Sequence, residues 1–168
     1  ETKPGRAQQM NHGAKNASGD VLWFLHADSV INEDSLLRAI KYMQTPTVGW
    51  GRLRVRLSGD GWKFRLRDTL MEWRSRFTGI ATGDQAIFVS RDLFFSSGGF
   101  ADIPLMEDIA LSKTLRKECW PTVLDLQLET SSRRWEERGL LRTVLLMWRL
   151  RLAYFLGVSP ATLARQYR

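Results

Sequence analysis

Val21-Leu22-Trp23-Phe24-Leu25 is an unbroken apolar run of strand length, and His26-Ala27-Asp28-Ser29 follows it directly. A run of this kind is expected of a strand buried on both faces, as in a parallel sheet. Before it, residues 5–17 place Ala7, Met10, Ala14 and Ala17 on one helical face and end in Ser18-Gly19-Asp20. After it, Asn32 offers a cap for a helix over residues 33–43, and Pro46 breaks the pattern. Helix, strand and helix in that order predict an α/β sheet with residues 21–25 as an interior parallel strand. Such sheets bind ligands beyond the carboxyl ends of their strands, and Asp28 sits just past such an end.

Further along, residues 49–57 alternate Arg52, Arg54 and Arg56 with Leu53, Val55 and Leu57. That period of two predicts a strand with one wet face, paired antiparallel. Trp62, Leu66, Thr69, Leu70, Trp73 and Phe77 follow helical spacing. Residues 86–89 read as a short strand, Gly98-Gly99 as a tight turn and residues 107–117 as a helix. Residues 122–124 and 127–130 read as two more short strands, and residues 140–156 as a long apolar helix. Ser159-Pro160 suits the cap and first turn of a last helix. With no repeat, low-complexity tract or clear linker, residues 1–168 are expected to form a single domain ending in basic, apolar helices over 140–168.

The net charge of +7 is unevenly spread. Residues 133–168 and 52–76 are strongly basic, whereas residues 77–132 are net acidic. This suggests an acidic centre suited to a cation, flanked by surfaces that attract phosphate. Cys119 is the only cysteine, which excludes an internal disulfide and a cysteine metal cage and fits a reducing compartment. The basic residues carry no recognisable DNA or RNA motif, so nucleic acid is not an expected partner. The chain begins at Glu1, with no strand before the first helix, and is expected to be a piece of a longer protein.

Five short segments carry chemistry. His26 and Asp28 could hold Mg²⁺ or Mn²⁺ on a diphosphate, or Asp28 could simply cap a turn over a packed His26. Lys3, Gly5, Arg6 and Asn11 lie at a helix start, a natural phosphate site. Gly83-Asp84-Gln85 combines close backbone approach with groups that bond sugar hydroxyls; alone, it is equally a hairpin turn. Glu107-Asp108 opens a helix, where acids favour the dipole and an ionised carboxylate could deprotonate a hydroxyl. Arg133-Arg134-Trp135 offers guanidinium groups for a diphosphate and a ring for a sugar face, or an ordinary Arg–Trp stack.

In order and spacing, six segments together resemble family 2 glycosyltransferases of the GT-A type, in the selenodomain-associated subgroup. They are Gly5-Arg6-Ala7-x-Gln9-Met10-Asn11, Phe24-Leu25-His26-Ala27-Asp28, Gly83-Asp84-Gln85-Ala86-Ile87-Phe88, Gly98-Gly99-Phe100, Pro104-Leu105-Met106-Glu107-Asp108 and Thr130-Ser131-Ser132-Arg133-Arg134-Trp135-Glu136. The resemblance implies a partial GT-A fold, a mixed sheet flanked by helices, lacking the family's first strand–helix–strand unit. It implies Asp28 at the metal position, Asp108 as catalytic base and Glu107 beside it. It also implies a divalent metal cofactor, a nucleotide-sugar donor, a hydroxyl acceptor and an inverting displacement. His26 stands where the broader family has Asp. Ser131 stands where related synthases have Gln, and this second departure weakens any expectation of processivity. The alternative is a non-catalytic sugar-nucleotide-binding or membrane-associated protein that retains the fold.

The helix over 140–156 places Arg142 and Arg149 on one face and Arg151 on the opposite one. Three charges argue against a membrane span. The helix is expected either to lie on an anionic membrane surface, suiting a lipid-linked acceptor, or to pack on the sheet or a second copy. The corresponding location is the cytoplasm, with peripheral contact at the inner face of the membrane.

Overall fold

The computed structural model describes residues 5–45, 48–59 and 61–167; Lys3, Pro46 and the side chains of residues 134, 137 and 138 lie outside the described residues. Among the described residues, five strands form one mixed sheet: β1 Val21–Trp23, β2 Ser29–Ile31, β3 Trp50–Leu57, β4 Phe88–Ser90 and β5 Thr122–Thr130. Their spatial order is β1-β4-β3-β5-β2. The β3–β5 pair is parallel and the other three are antiparallel.

The helices are α1 Arg6–Asn16, α2 Glu33–Met43, α3 Trp62–Thr78, α4 Arg91–Ser96, α5 Glu107–Glu118, α6 Arg133–Arg138, α7 Leu140–Phe155 and α8 Pro160–Tyr167. Local chemistry explains their ends. Asn32 accepts from the Ser35 amide at 2.8 Å and starts α2. Gly79, at φ 63°, ends α3 in the left-handed conformation. The Ser159 hydroxyl accepts from the Thr162 amide and starts α8.

The strand expected over 21–25 is not an interior parallel strand. It is three residues long, lies at the sheet edge, and pairs antiparallel with β4. Phe24 still donates to the Ile87 carbonyl, after which a turn at Ala27-Asp28 redirects the chain. It then enters β2 at the opposite edge. Flat strands at the usual spacing would hold those two edges about 19 Å apart. The short, turned link between β1 and β2 therefore requires the sheet to curl.

β3 also departs from the period-two reading. Arg54 and Arg56 are exposed, but Arg52 is fully buried, with Nη1 donating to Glu72 Oε2 at 2.6 Å. Only Trp50 and Gly51 meet the antiparallel β4; the rest of the strand runs parallel to β5. Gly51 sits where β4 and β5 approach together, and a Cβ there would collide with the Thr122 carbonyl and lie 2.5 Å from the Phe88 ring. The two segments expected over 122–130 are one strand. The pairing jumps from Leu53 with Leu124 to Arg54 with Gln127, so Asp125 and Leu126 form a bulge.

Three apolar clusters hold the layers together. Trp50, Val89, Phe94, Phe100 and Leu115 centre the first, and Leu53, Phe88 and Leu128 the second. The third joins Ile80, Met106 and Ile109 to Leu150 of α7 and Leu163 of α8. One face of α7 is thus core, while Leu141, Leu145, Trp148 and Leu152 on its other side are exposed. Among the described residues, no helix is long and apolar enough to cross a membrane.

Candidate active site

A cavity of about 420 Å³ opens where α3 and α7 meet the loops that end β1 and precede β4. Its polar wall begins at residues 82–85. The Thr82 hydroxyl and the Gln85 side chain form a reciprocal cap around this tight turn, with Gln85 Oε1 accepting the Thr82 amide at 2.9 Å. Gln85 is fully buried and its role is internal, while Gly83 and Asp84 face the cavity. The turn ends at Ala86, whose φ of 50° is uncommon for a residue with a Cβ.

Opposite, Met106 adopts φ 71° and α5 starts immediately after it. The helix places Glu107 and Asp108 in its first turn, where its dipole favours negative charge. Asp108 Oδ2 accepts the Gly83 amide at 2.8 Å, tying α5 to the turn. A carboxylate has about four acceptor positions, so Asp108 retains capacity for a hydroxyl from the cavity.

From Asp108 a chain of contacts leads back to Asp28. Glu107 is buried, with Oε1 3.2 Å from Arg6 Nη1. Arg6 Nη2 donates to His26 Nε2 at 2.8 Å, and His26 Nδ1 lies 3.9 Å from Asp28 Oδ1. The arrangement needs Gly83, because a Cβ there would collide with Arg6 Nη2 and come within 2.9 Å of His26 Nε2.

Burial and the neighbouring Asp108 push the Glu107 carboxyl above its ordinary range, against the pull of Arg6. Burial also raises Asp84, but Arg67, the Thr82 hydroxyl and Arg151 outweigh it and hold Asp84 below the usual carboxylate range. Arg67 reaches Asp84 Oδ2 at 3.2 Å and stacks 4.5 Å from the Trp135 ring centre. Arg74 is pushed down to about 10 by burial and by Arg151, with Asp84 and Asp108 opposing. Its Nε and Nη2 are buried and have no hydrogen-bond partner among the described residues.

Of the residues singled out in the sequence, Arg6, His26, Asp28, Gly83, Asp84, Asp108 and Trp135 share the cavity. Glu107 lies behind Arg6. Asn11 does not: its side chain clips the Phe100 backbone through two bonds of 2.8 and 2.9 Å. Arg133 is exposed and off the cavity wall, and the Arg134 side chain is outside the described residues. Besides Arg6, the cavity's guanidinium groups come from Arg67, Arg74 and Arg151. The seven-residue spacing of Arg67 and Arg74 and the lone Arg151 opposite Arg142 and Arg149 were the available signals.

The expected metal pair is altered. An arginine keeps its protons in proteins, so Arg6 must donate and the His26 Nε2 lone pair is engaged. No group of three or more possible metal ligands occurs among the described residues. Of the aspartates that line the cavity, Asp28 is exposed while Asp84 and Asp108 are half-buried. The Asp28 carboxylate suits an ion such as Mg²⁺, which is commonly held by one or two carboxylates together with substrate phosphates.

Compared with known proteins, residues 1–101 match the family model described as glycosyl transferase family 2. The chain belongs to glycosyl transferase family 2. The mixed sheet flanked by helices fits a partial GT-A fold. The family 2 match includes Arg6, His26, Asp28, Arg67, Arg74 and Asp84, whereas Asp108, Trp135 and Arg151 complete the cavity from beyond it. A search of curated proteins found no match.

Proposed function

We propose that this chain transfers a sugar from a nucleotide-sugar donor to a hydroxyl acceptor, by direct displacement with inversion at the anomeric carbon. The observation that carries the reading is Asp108 fixed on the Gly83 amide at the wall of the cavity that Asp28 and Asp84 share. Asp108 takes the acceptor proton as the hydroxyl oxygen attacks. Asp84, held ionised by Arg67, is available to accept from sugar hydroxyls. Arg74 and Arg151 face the developing charge of the diphosphate leaving group, a role the sequence reading gave to Arg133 and Arg134. Asp28 would hold a divalent ion brought with the donor; bound there, the ion would neutralise phosphate charge.

Residues 1–168 are read as one transferase domain, supported by the packing of α7 and α8 on Ile80 and Met106. The exposed side of α7, with Arg142 and Arg149, supports a peripheral membrane location and a lipid-linked acceptor.

Titration calorimetry with nucleotide-sugars, with and without Mg²⁺ or Mn²⁺, tests the reading on the protein at its natural length. Asp108→Asn should lower turnover by about 10²–10⁴-fold while donor binding persists. Asp28→Ala should weaken metal-dependent donor binding. Near-normal turnover of Asp108→Asn would transfer the base role to another residue, and donor binding without any turnover would favour a non-catalytic sugar-nucleotide binder.

A further inference from the structure

The apolar half of the cavity wall is not used by the chemistry above. α3 contributes Trp62, Leu66 and Leu70, and α7 contributes Leu141, Val144 and Trp148. Outside the cavity, the same two helices expose Trp73 and Phe77 on α3 and Leu145 and Leu152 on α7. Each helix therefore carries a stripe at helical spacing that starts in the cavity wall and continues onto the surface. Large contiguous apolar surfaces of this kind mark interaction sites.

We infer that the paired stripes of α3 and α7 dock on an anionic bilayer, and that the cavity mouth between them receives the head of an amphiphilic acceptor lipid. Charge selects this occupant. α7 has no acidic residue, and its exposed Arg142 and Arg149 flank the stripe. Lys63 lines the mouth on the α3 side, and Arg74 of α3 and Arg151 of α7 line the same cavity. A second copy of the chain docking through this face would bring like charges together. An anionic leaflet supplies the missing sign. Trp62, Trp73 and Trp148, each more than half exposed, are side chains suited to the boundary between head groups and acyl chains. Because no helix among the described residues is long and apolar enough to span, the contact proposed for α3 and α7 lies in the interface plane. The docking stands on these surfaces alone, and what the lipid does at Asp108 rests on the transferase reading.

The test is vesicle flotation of the purified protein with phosphatidylcholine vesicles, with and without phosphatidylglycerol, at low and raised salt. Binding to the anionic vesicles alone, weakened by salt, is expected. The double variant Trp73→Glu/Leu145→Glu changes two exposed side chains away from the catalytic groups and should reduce bound protein more than tenfold with an unchanged thermal melt. Arg142→Ala/Arg149→Ala should also weaken binding and flatten its salt dependence, which covers the case of a misfolded glutamate variant. Absence of flotation, equal flotation with neutral vesicles, or a dimer in light scattering that the glutamate pair disperses without any vesicle binding would each overturn the docking. Sugar-nucleotide calorimetry run in parallel separates the two readings. Docking without donor binding would sink the transferase alone, and donor binding without docking would sink this inference alone.

Discussion

Arg6 donates to His26 Nε2 at 2.8 Å while its other terminal nitrogen lies 3.2 Å from Glu107. One guanidinium thus links the loop after β1 to the start of α5. It also sets the His26 tautomer. A ring accepting at Nε2 carries its proton on Nδ1, the nitrogen that faces Asp28.

Arg6→Ala leaves the buried Glu107 carboxylate without its counter-charge. Loss of a partner from a fully buried pair costs about 3–5 kcal/mol. Arg6 is half exposed, so solvent screening should reduce the loss to about 1–2 kcal/mol. Urea unfolding checks this. A double variant Arg6→Ala/Glu107→Gln should recover most of the loss, because the buried charge is then gone.

The pH dependence follows from Glu107. Its carboxyl is raised in the folded state, so the folded protein binds the proton more tightly than the unfolded chain. The associated stability is fully present below the unfolded Glu value and is lost as pH rises through the raised one. Glu107→Gln removes that dependence. Relative to wild type, its unfolding midpoint should therefore improve progressively between about pH 4 and neutrality. A constant difference across that range would show that Glu107 does not titrate as described.

Gly83→Ala separates site from scaffold. The backbone at Gly83 is not left-handed, and the colliding atoms belong to the ends of Arg6 and His26. The stability loss should stay near about 1 kcal/mol, since flexible ends can give way. Donor affinity should nevertheless fall at least tenfold as Arg6 and His26 are displaced. Calorimetry beside a thermal melt reads both quantities.

Glu72→Ala and Asp125→Ala make a matched contrast. Glu72 is the counter-charge of the fully buried Arg52, and removing it should cost about 3–5 kcal/mol. Asp125 pairs with Arg54 at the comparable distance of 2.7 Å, but both side chains are more than half exposed. Its removal should cost less than about 1 kcal/mol. Equal losses in denaturant unfolding would mean that burial does not control these pairs.

Elements with local chemical punctuation were legible in the sequence. Asn32 marks the start of α2, and Ser159-Pro160 marks the start of α8. Strand partners were not, because they are decided by distant segments. The apolar run at residues 21–25 reads as interior, yet β1 has only β4 beside it among the described residues. Arg52 has the same alternating place as Arg54 and Arg56, and only the approach of α3, carrying Glu72, distinguishes it. In the site, the short motifs pointed to Arg6, Asp28, Asp84 and Asp108, which line one cavity. Arg67, Arg74 and Arg151 read as ordinary helix charges because only the folded chain brings α3 and α7 to one cavity.

Met106 meets two demands that pull in different directions. Its backbone is left-handed, a conformation that costs about 1–2 kcal/mol for a residue with a Cβ. Its side chain is buried against Ile80, Ile109 and Leu150. Glycine would relax the backbone and leave a hole beneath α7, whereas another large apolar residue would fill the hole and keep the strain. The position that aims Glu107 and Asp108 is therefore tuned from the far side of the molecule, and repacking under α7 would turn the start of α5 without touching any group that meets substrate.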